Sequence, residues 1–244
     1  MPIVKYRLHR AGTEPRMTEM PVPGWGGDPQ PRADGNLEQL WHCTPFSEGA
    51  RYGMELCYPF EQELSVTTFR GKVRLDADWG PPPADSTLMW PPFRSFGDAY
   101  YSHQLVLDLK VPPGFAVRFE THPRYYAPVE DVPLAVPALI RTSWWPMVFF
   151  LIFKAPPKGV THVFRKGEPY VHLLVIPEEP ELELEPMGEE EAAERELQAR
   201  RIHASRDVLS EGTRWVSSTK TIFDGTYRHL LRAAKARSRE KPLP

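Results

Sequence analysis

Cysteine, long apolar segments and net charge are all scarce in this sequence. Its 244 residues include two Cys, Cys43 and Cys57, in segments that we interpret as strands. The N-terminus MPIVKYRLHR lacks the apolar stretch of a signal peptide, so we expect free thiols in a reducing, cytoplasmic setting. The longest apolar run, Met147–Phe153, is far shorter than the roughly 20 residues that span a bilayer, so we expect no membrane partner.

The charges are nearly balanced, with a formal net charge of −2. Such a balance creates no overall field that would attract a nucleic acid, and we expect none as a partner. Catalytic motifs are missing as well: there is no His-Glu-x-x-His, no paired Cys-x-x-Cys, no Gly-x-Ser-x-Gly and no phosphate-binding loop. The sequence therefore does not indicate a zinc protease, a serine hydrolase or a nucleotide-binding enzyme.

Proline, by contrast, is abundant: the 28 Pro residues are about 11% of the chain, against a usual value of about 5%. Proline interrupts helices and is excluded from central strands. Its abundance favours many short strands joined by turns over a helical bundle or a βαβ array. Residues 38–80 and 102–176 carry the alternating apolar pattern of strands. We predict a mainly β fold, an antiparallel-rich sandwich or barrel with a β-clip-like or cupin-like shape.

Two further patterns refine the strand prediction. In residues 102–111 every second side chain from His103 to Val111 is apolar or His, which predicts one strand before the turn Pro112-Pro113-Gly114. Met147–Phe153 is apolar on both faces and predicts a central, fully covered strand.

Composition changes sharply after Pro177. We predict a β domain over residues 1–177, with a Pro/Gly-rich arm at 11–36, and an acidic linker with two helices over 178–244. One helix should begin near Gly188, where Glu residues cluster, and another should span about 219–238, where an apolar stripe recurs at helical spacing.

Aromatic side chains occur in the predicted loops as well as in the strands, and exposed aromatics favour a ligand pocket or a protein interface. Packing of the Pro-rich loops onto the sheets is the alternative. The candidate binding residues are Trp25, Trp90, Phe93, Phe96, Tyr101, Tyr126 and Trp145. Asp76, Asp78 and Asp85 surround Trp79, a pattern that suits a sugar or a cation but also an ordinary solvated loop.

Four histidines lie in or near the predicted β core: His103, His122, His162 and His172. A non-haem oxygenase needs two His and a carboxylate around iron, so these residues are candidate ligands for iron or zinc if at least three of them converge. The alternative is that each is a hydrogen-bonded core residue.

Several short segments resemble, in order, motifs of an uncharacterised bacterial domain family that has Gly-Trp-Glu-Leu, Pro-Pro-Gly, Glu-Thr-Asp-Trp and Gly-Glu-Pro segments. The resemblance covers roughly residues 40–180 and implies a shared fold, but no activity. Arg141-Thr142-Ser143-Trp144 departs from the acidic family motif, so a role for that carboxylate would be lost here. The matching segments are His42-Cys-Thr-Pro-Phe, Gly53-Met-Glu-Leu, Val111-Pro-Pro-Gly-Phe, Arg141-Thr-Ser-Trp-Trp and Phe164-Arg-Lys-Gly-Glu-Pro-Tyr.

The order of strands and turns is also similar to the β-clip of trimeric dUTP-hydrolysing enzymes, without their Ser-rich phosphate motif or their water-activating Asp. That likeness implies a compact barrel and self-association, and it does not imply nucleotide hydrolysis. Together these observations predict a non-enzymatic binding or assembly module whose aromatic, Pro-rich loops contact a protein partner or another subunit. The alternative is a His-based non-haem metal oxygenase of cupin-like shape that acts on a small molecule or peptide.

Overall fold

The chain divides into two compact units in a computed structural model. The β unit comprises residues 1–20 and 50–180, and the helical unit comprises residues 21–49 and 181–244. The sequence analysis placed the boundary at Pro177 and assigned all residues before it to one domain. The residues described are 2–19, 43–82, 88–126, 132–147, 149–180, 182–209, 211–212, 214–216, 220 and 222–240.

The described part of the β unit contains thirteen strands in four antiparallel sheets, with no closed barrel. The fold is therefore mainly β and sandwich-like, as the proline and alternation patterns predicted. The strands are β1 (Lys5–Leu8), β2 (Arg16–Met17), β3 (Met54–Cys57), β4 (Leu64–Phe69), β5 (Lys72–Asp76), β6 (Phe93–Phe96), β7 (Tyr100–Gln104), β8 (Leu107–Lys110), β9 (Phe115–Thr121), β10 (Ala138–Ile140), β11 (Phe150–Lys154), β12 (Thr161–Phe164) and β13 (Pro169–Pro177).

The largest sheet has the order β10-β9-β13-β3-β2. The others are β11-β7-β6, β12-β4-β5 and the pair β1-β8. One face of β9 and β13 supplies fully buried core residues such as Val117, Phe119 and Leu173. These pack with the aromatic side chains of Phe93, Phe153 and their neighbours in one continuous hydrophobic core.

The β4–β5 hairpin follows directly from its sequence. Residues Arg70 and Gly71 form the two-residue turn, and both have positive φ, 50° and 76°. Two-residue hairpin turns with φ > 0 at both positions match the right-handed twist of the strands, and glycine adopts this conformation without strain. The predicted turn at Arg70-Gly71-Lys72 is thus confirmed as a tight hairpin.

The predicted single strand over residues 102–111 is wrong, because the chain changes sheets within it. It forms β7, which pairs with β11 and β6, and then β8, which pairs with β1. Between them the Leu105 N–H donates to the Phe149 carbonyl at 3.0 Å, and the Val106 carbonyl accepts from His9 N–H at 2.9 Å. Alternation continues through such a corner, so the sequence pattern did not reveal it.

Met147–Phe153 was predicted to be a central covered strand. The strand observed is β11, Phe150–Lys154, which has the end position in its three-stranded sheet. A single bridge from Ala135 to Phe153 extends its outer side. Leu151 and Phe153 point into the core, whereas Phe150 and Ile152 are only half-buried, so the run is apolar on both faces without being central.

The helical unit begins, within the described residues, with part of α1 (Thr44–Arg51), which the sequence analysis assigned to β structure. Pro45 in its first turn is a helix-start signal that was missed. Helix α2 (Glu189–Ala204) starts directly after Gly188, as predicted. It is followed by α3 (Arg206–Leu209), by β14 (Trp215–Val216) paired with β15 (Ile222–Phe223), and by α4 (Thr226–Glu240).

Helix α4 starts later than the sequence predicted, because Ile222 and Phe223 of its expected apolar stripe pair in a strand instead. The Asp224 carboxylate accepts the Thr226 N–H at 3.0 Å and caps the helix start. No helix in the described ranges is both long and apolar enough to cross a membrane. Cys43 and Cys57 are free thiols, as expected, although Cys43 precedes α1 and is not in a strand.

Candidate binding surface

The predicted aromatic binding residues separate into core and surface groups. Phe93 and Tyr101 are fully buried and belong to the hydrophobic core, so their proposed exposure is wrong. Trp90 is half-buried, and its indole N–H donates to the Gly80 carbonyl at 2.8 Å. Phe96, Tyr126 and Trp145 are exposed. Trp25 lies outside the described residues.

Exposed apolar side chains concentrate in one segment, residues 134–147, which we call the apolar patch. Trp144 is 66% exposed and Trp145 is 41% exposed, and their ring centroids are 5.8 Å apart in an edge-to-face arrangement. A turn positions them, since the N–H groups of both Trp residues donate to the Arg141 carbonyl. The other exposed members are Leu134, Val136, Leu139 and Met147. Contiguous apolar surface marks interaction sites, and the contacting Trp144 and Trp145 rings are the part of this segment that shows such contiguity.

The apolar patch includes an open strand edge. β10 is the end strand of the five-stranded sheet, and among the described residues it has a strand neighbour on only one side. Leu139 lies opposite Arg118 of β9 in the register, and Arg141 follows the strand. Arg141 forms an ion pair with Glu178 at 2.6 Å. Among the described residues the edge therefore has backbone groups without a strand partner, beside apolar side chains. The two nearby guanidinium groups are already ion-paired, Arg118 with Glu120 and Arg141 with Glu178.

The four candidate metal-ligating histidines lie in different surroundings. His103 Nδ1 is 2.9 Å from the Tyr170 hydroxyl, and His162 Nδ1 is 2.9 Å from the Tyr101 hydroxyl. His122 and His172 are neighbours, with ring centroids 6.1 Å apart, and each contacts a glutamate. Across the described residues no three His, Cys, Asp or Glu side chains are grouped to hold a metal ion. The convergence that an iron or zinc site requires is therefore not found in the described part of the chain.

One polar cluster was missed by the sequence analysis. Arg16, Glu55, His172 and Glu120 are directly opposite one another on four adjacent strands, β2, β3, β13 and β9. Arg16 Nε donates to Glu55 at 2.6 Å, and His172 Nδ1 donates to Glu120 at 3.3 Å. His172 Nε2 is buried without a partner among the described residues. These four polar side chains form a row across one face of the sheet.

His122 joins this row from the segment after β9. Its Nδ1 accepts the Arg124 N–H at 3.1 Å, so Nε2 carries the proton and donates to Glu55 at 3.0 Å. Both side chains are completely buried. Only the register and the fold bring these residues together, because Arg16, Glu55 and His122 are far apart in the sequence.

Burial and hydrogen bonding shift the pKa values of this row. Burial raises the pKa of Glu55, but the hydrogen bonds from His122 and Arg16 outweigh it, so the net pKa is lowered. Burial lowers the pKa of His122, against the opposing effect of Glu55. The pair of Glu55 and His122 is therefore a carboxylate beside a neutral imidazole, and it has no exposed atom through which a substrate could reach it. Outside this row, burial alone lowers the pKa of His103 to about 3.

A shallow cleft adjoins Trp79, one of the residues that the sequence analysis associated with a sugar or a cation. Its volume is about 260 Å³, and its lining includes Arg10, Phe60, Glu61, Asp78 and Trp79. Of the acidic residues predicted to surround Trp79, Asp78 lines the cleft, Asp76 is in β5, and Asp85 lies outside the described residues.

Comparisons with models of protein families, with curated proteins and with solved structures found no match for this chain. The resemblance to an uncharacterised bacterial domain family therefore stays a prediction.

Proposed function

We propose that the chain is a non-enzymatic assembly module that binds a second copy of itself through the apolar patch. The observation that carries this proposal is the exposure of Trp144 and Trp145 together with the open edge of β10. Tryptophan dominates the binding energy of protein interfaces because it buries a large, rigid surface. An exposed strand edge pairs readily with an extended segment of another chain.

The occupant that fits this edge is the segment Leu182–Glu185 of a second copy. Leu182 and Leu184 are 80% and 95% exposed and alternate with glutamates, which is the pattern of a strand with one apolar and one acidic face. The edge of β10 supplies the complementary chemistry: apolar side chains, with Arg118 and Arg141 nearby. Arg141 already pairs with Glu178, and Arg118 with Glu120, so a glutamate of the second copy would share or replace one of these exposed ion pairs.

Symmetry makes the contact reciprocal. In a two-fold dimer each copy offers both the patch and the acidic segment, so one pairing geometry forms twice. The net charge of −2 is small enough that two copies repel each other only weakly. These features support a homodimer over a complex with a strongly charged partner.

Sedimentation velocity over a range of protein concentrations tests the proposal. The wild-type chain should show a reversible monomer–dimer equilibrium. Trp145→Ala should weaken it by roughly thirtyfold, since a central Trp contributes about 2 kcal/mol or more to an interface. Leu184→Glu in the acidic segment should weaken it as well.

Phe69→Ala is the matched control, because Phe69 is an exposed aromatic residue in the β4–β5 hairpin, outside the patch. It should leave the association constant unchanged. A wild-type chain that stays monomeric at every concentration would contradict the proposal, and so would equal weakening by Trp145→Ala and Phe69→Ala.

A further inference from the structure

The cleft beside Trp79 has features of a ligand site that the proposed assembly does not use. Phe60 is almost completely buried beneath it, and Trp79 is half-buried in its wall. Arg10, Glu61, Gln62 and Asp78 supply polar groups around these rings, and Gly80 completes the lining. The lining thus combines two aromatic rings with several polar groups, which is typical of small-molecule sites.

The Trp79 ring is held rigidly. It stacks on Phe93 at a centroid distance of 5.5 Å and an interplanar angle of 10°, and it meets Phe60 edge-on at 4.9 Å. Phe93 in turn stacks on His103 at 4.1 Å. The loop after Trp79 is fixed by the hydrogen bond from the Trp90 indole to the Gly80 carbonyl and by one from Gly80 N–H to Asp78. A ligand can therefore stack on Trp79 without first ordering it, which reduces the entropic cost of binding.

The charges around the cleft favour a neutral ligand. The Arg10 guanidinium lies 4.9 Å from the centroid of Phe60 and occupies the cation–π position on that ring. It would repel a second cation. Glu61 is already neutralised by an ion pair with Lys166, and the remaining Asp78 carboxylate offsets Arg10. An entirely apolar ligand would desolvate these charged groups without replacing their hydrogen bonds.

We propose that this cleft binds one neutral pyranose ring, which stacks on Trp79 and exchanges hydrogen bonds with Arg10 and Asp78. A pyranose has an apolar C–H face for the indole and hydroxyl groups at its edge. Those hydroxyls donate to the carboxylate and accept from the guanidinium. The volume of about 260 Å³ is below the usual pocket range of about 300–1,000 Å³ and suits a single sugar ring rather than a larger cofactor.

The test is a titration of the full-length protein with methyl glucoside, methyl galactoside, N-acetylglucosamine and choline, monitored by tryptophan fluorescence and by saturation-transfer NMR. At least one of the three sugars should bind saturably. Trp79→Ala should abolish binding, and Asp78→Asn should weaken it by about tenfold, because a hydrogen bond to a charged group is replaced by one to a neutral amide. The asparagine oxygen can still accept the Gly80 N–H, so the loop should stay in place.

Trp144→Ala is the matched control, since it removes an exposed tryptophan from the apolar patch. Sugar affinity should be unchanged in this variant, and dimerisation should be unchanged in Asp78→Asn, so the two proposals fail separately. The proposal is overturned if none of the three sugars binds, if choline binds and the sugars do not, or if sugar affinity is the same in Asp78→Asn as in the wild type.

Discussion

The β unit and the helical unit differ most in what they bury. The β unit buries a continuous core of aromatic and aliphatic side chains from strands β3 to β13. Among the described side chains from residue 182 onward, Asp224 is the one that is buried. Burial of apolar surface is the main favourable contribution to folding, so among the described residues this contribution comes from the β unit.

Helix α2, in the helical unit, is stabilised differently from the strands of the β unit. None of its described residues is buried, and its side chains are polar around most of its circumference. Such a helix relies on local pairs such as Glu196–Arg200, whose side-chain atoms are 2.8 Å apart one turn along the helix. These pairs contribute only tenths of a kcal/mol, about 0.3–0.5 each. Apolar residues such as Leu182 and Leu184 are therefore exposed, and they do not form a buried core among the described residues of the helical unit.

The largest expected difference between the units is in their response to truncation of an apolar side chain. Phe153→Ala should lower the free energy of unfolding by about 3–5 kcal/mol, because Phe153 is fully buried and its removal leaves a cavity among Tyr101, Phe164 and Tyr170. Leu197→Ala in α2 should change it by less than about 0.5 kcal/mol. Urea unfolding of both variants measures the loss of unfolding free energy, and equal losses in the two variants would contradict the predicted difference between the units.

Acid should act on the β unit through its buried histidines. The pKa of His103 is lowered to about 3 in the folded protein, against about 6.5 in the unfolded chain. The contribution of this group to stability is therefore complete above about pH 6.5, and it is lost progressively as the pH falls toward about 3. Each such group makes the unfolding free energy fall by about 1.4 kcal/mol per pH unit between the two values. His122, whose pKa is also lowered, acts in the same direction.

His103→Phe isolates one of these contributions while keeping an aromatic ring on Phe93. Between about pH 6 and pH 4 this variant should take up about one proton fewer on unfolding than the wild type. The slope of its unfolding free energy against pH should therefore be smaller by about 1.4 kcal/mol per pH unit. Chemical denaturation at several pH values provides the measurement. An unchanged slope would show that His103 is already charged in the folded protein.

The smallest expected changes in unfolding free energy concern two glycines, Gly53 and Gly49. Gly53 has φ +116°, and a Cβ atom there would lie 2.5 Å from the Leu173 carbonyl oxygen, so Gly53→Ala should destabilise the β unit by more than about 1 kcal/mol. Gly49 is helical in α1 and has nothing within 4 Å of a Cβ position. Gly49→Ala should stabilise the chain by about 0.5–1 kcal/mol. Thermal unfolding of both variants checks this opposition of sign, and a shared sign would refute it.

Local patterns were the part of the fold that the sequence predicted best. The β4–β5 hairpin and the start of α2 after Gly188 both depend on residues adjacent in the chain, such as Arg70-Gly71 and the glutamates of the first helical turn. The corner between β7 and β8 could not be predicted, because its hydrogen bonds come from Phe149 and His9, which are distant in sequence.

The candidate site shows the same limit. Adjacent aromatic residues do not reveal from the sequence which of them is exposed: Tyr101 is buried beside the exposed Tyr100, whereas Trp144 and Trp145 are both exposed. Likewise, His122 and His172 were singled out as metal candidates, but their partners Glu55 and Glu120 were not recognised. A histidine's partner depends on strand register, which a single sequence does not specify.

Proline and period-two alternation restrict the backbone locally, and they are enough to predict a mainly β chain followed by an acidic, helix-forming region. The packing of the folded chain decides which alternating face meets the core, which strand forms an open edge and which polar side chains share the row of Arg16, Glu55, His172 and Glu120. The physical reason is that burial and ion pairing join residues far apart in the chain, whereas turns and caps join neighbours.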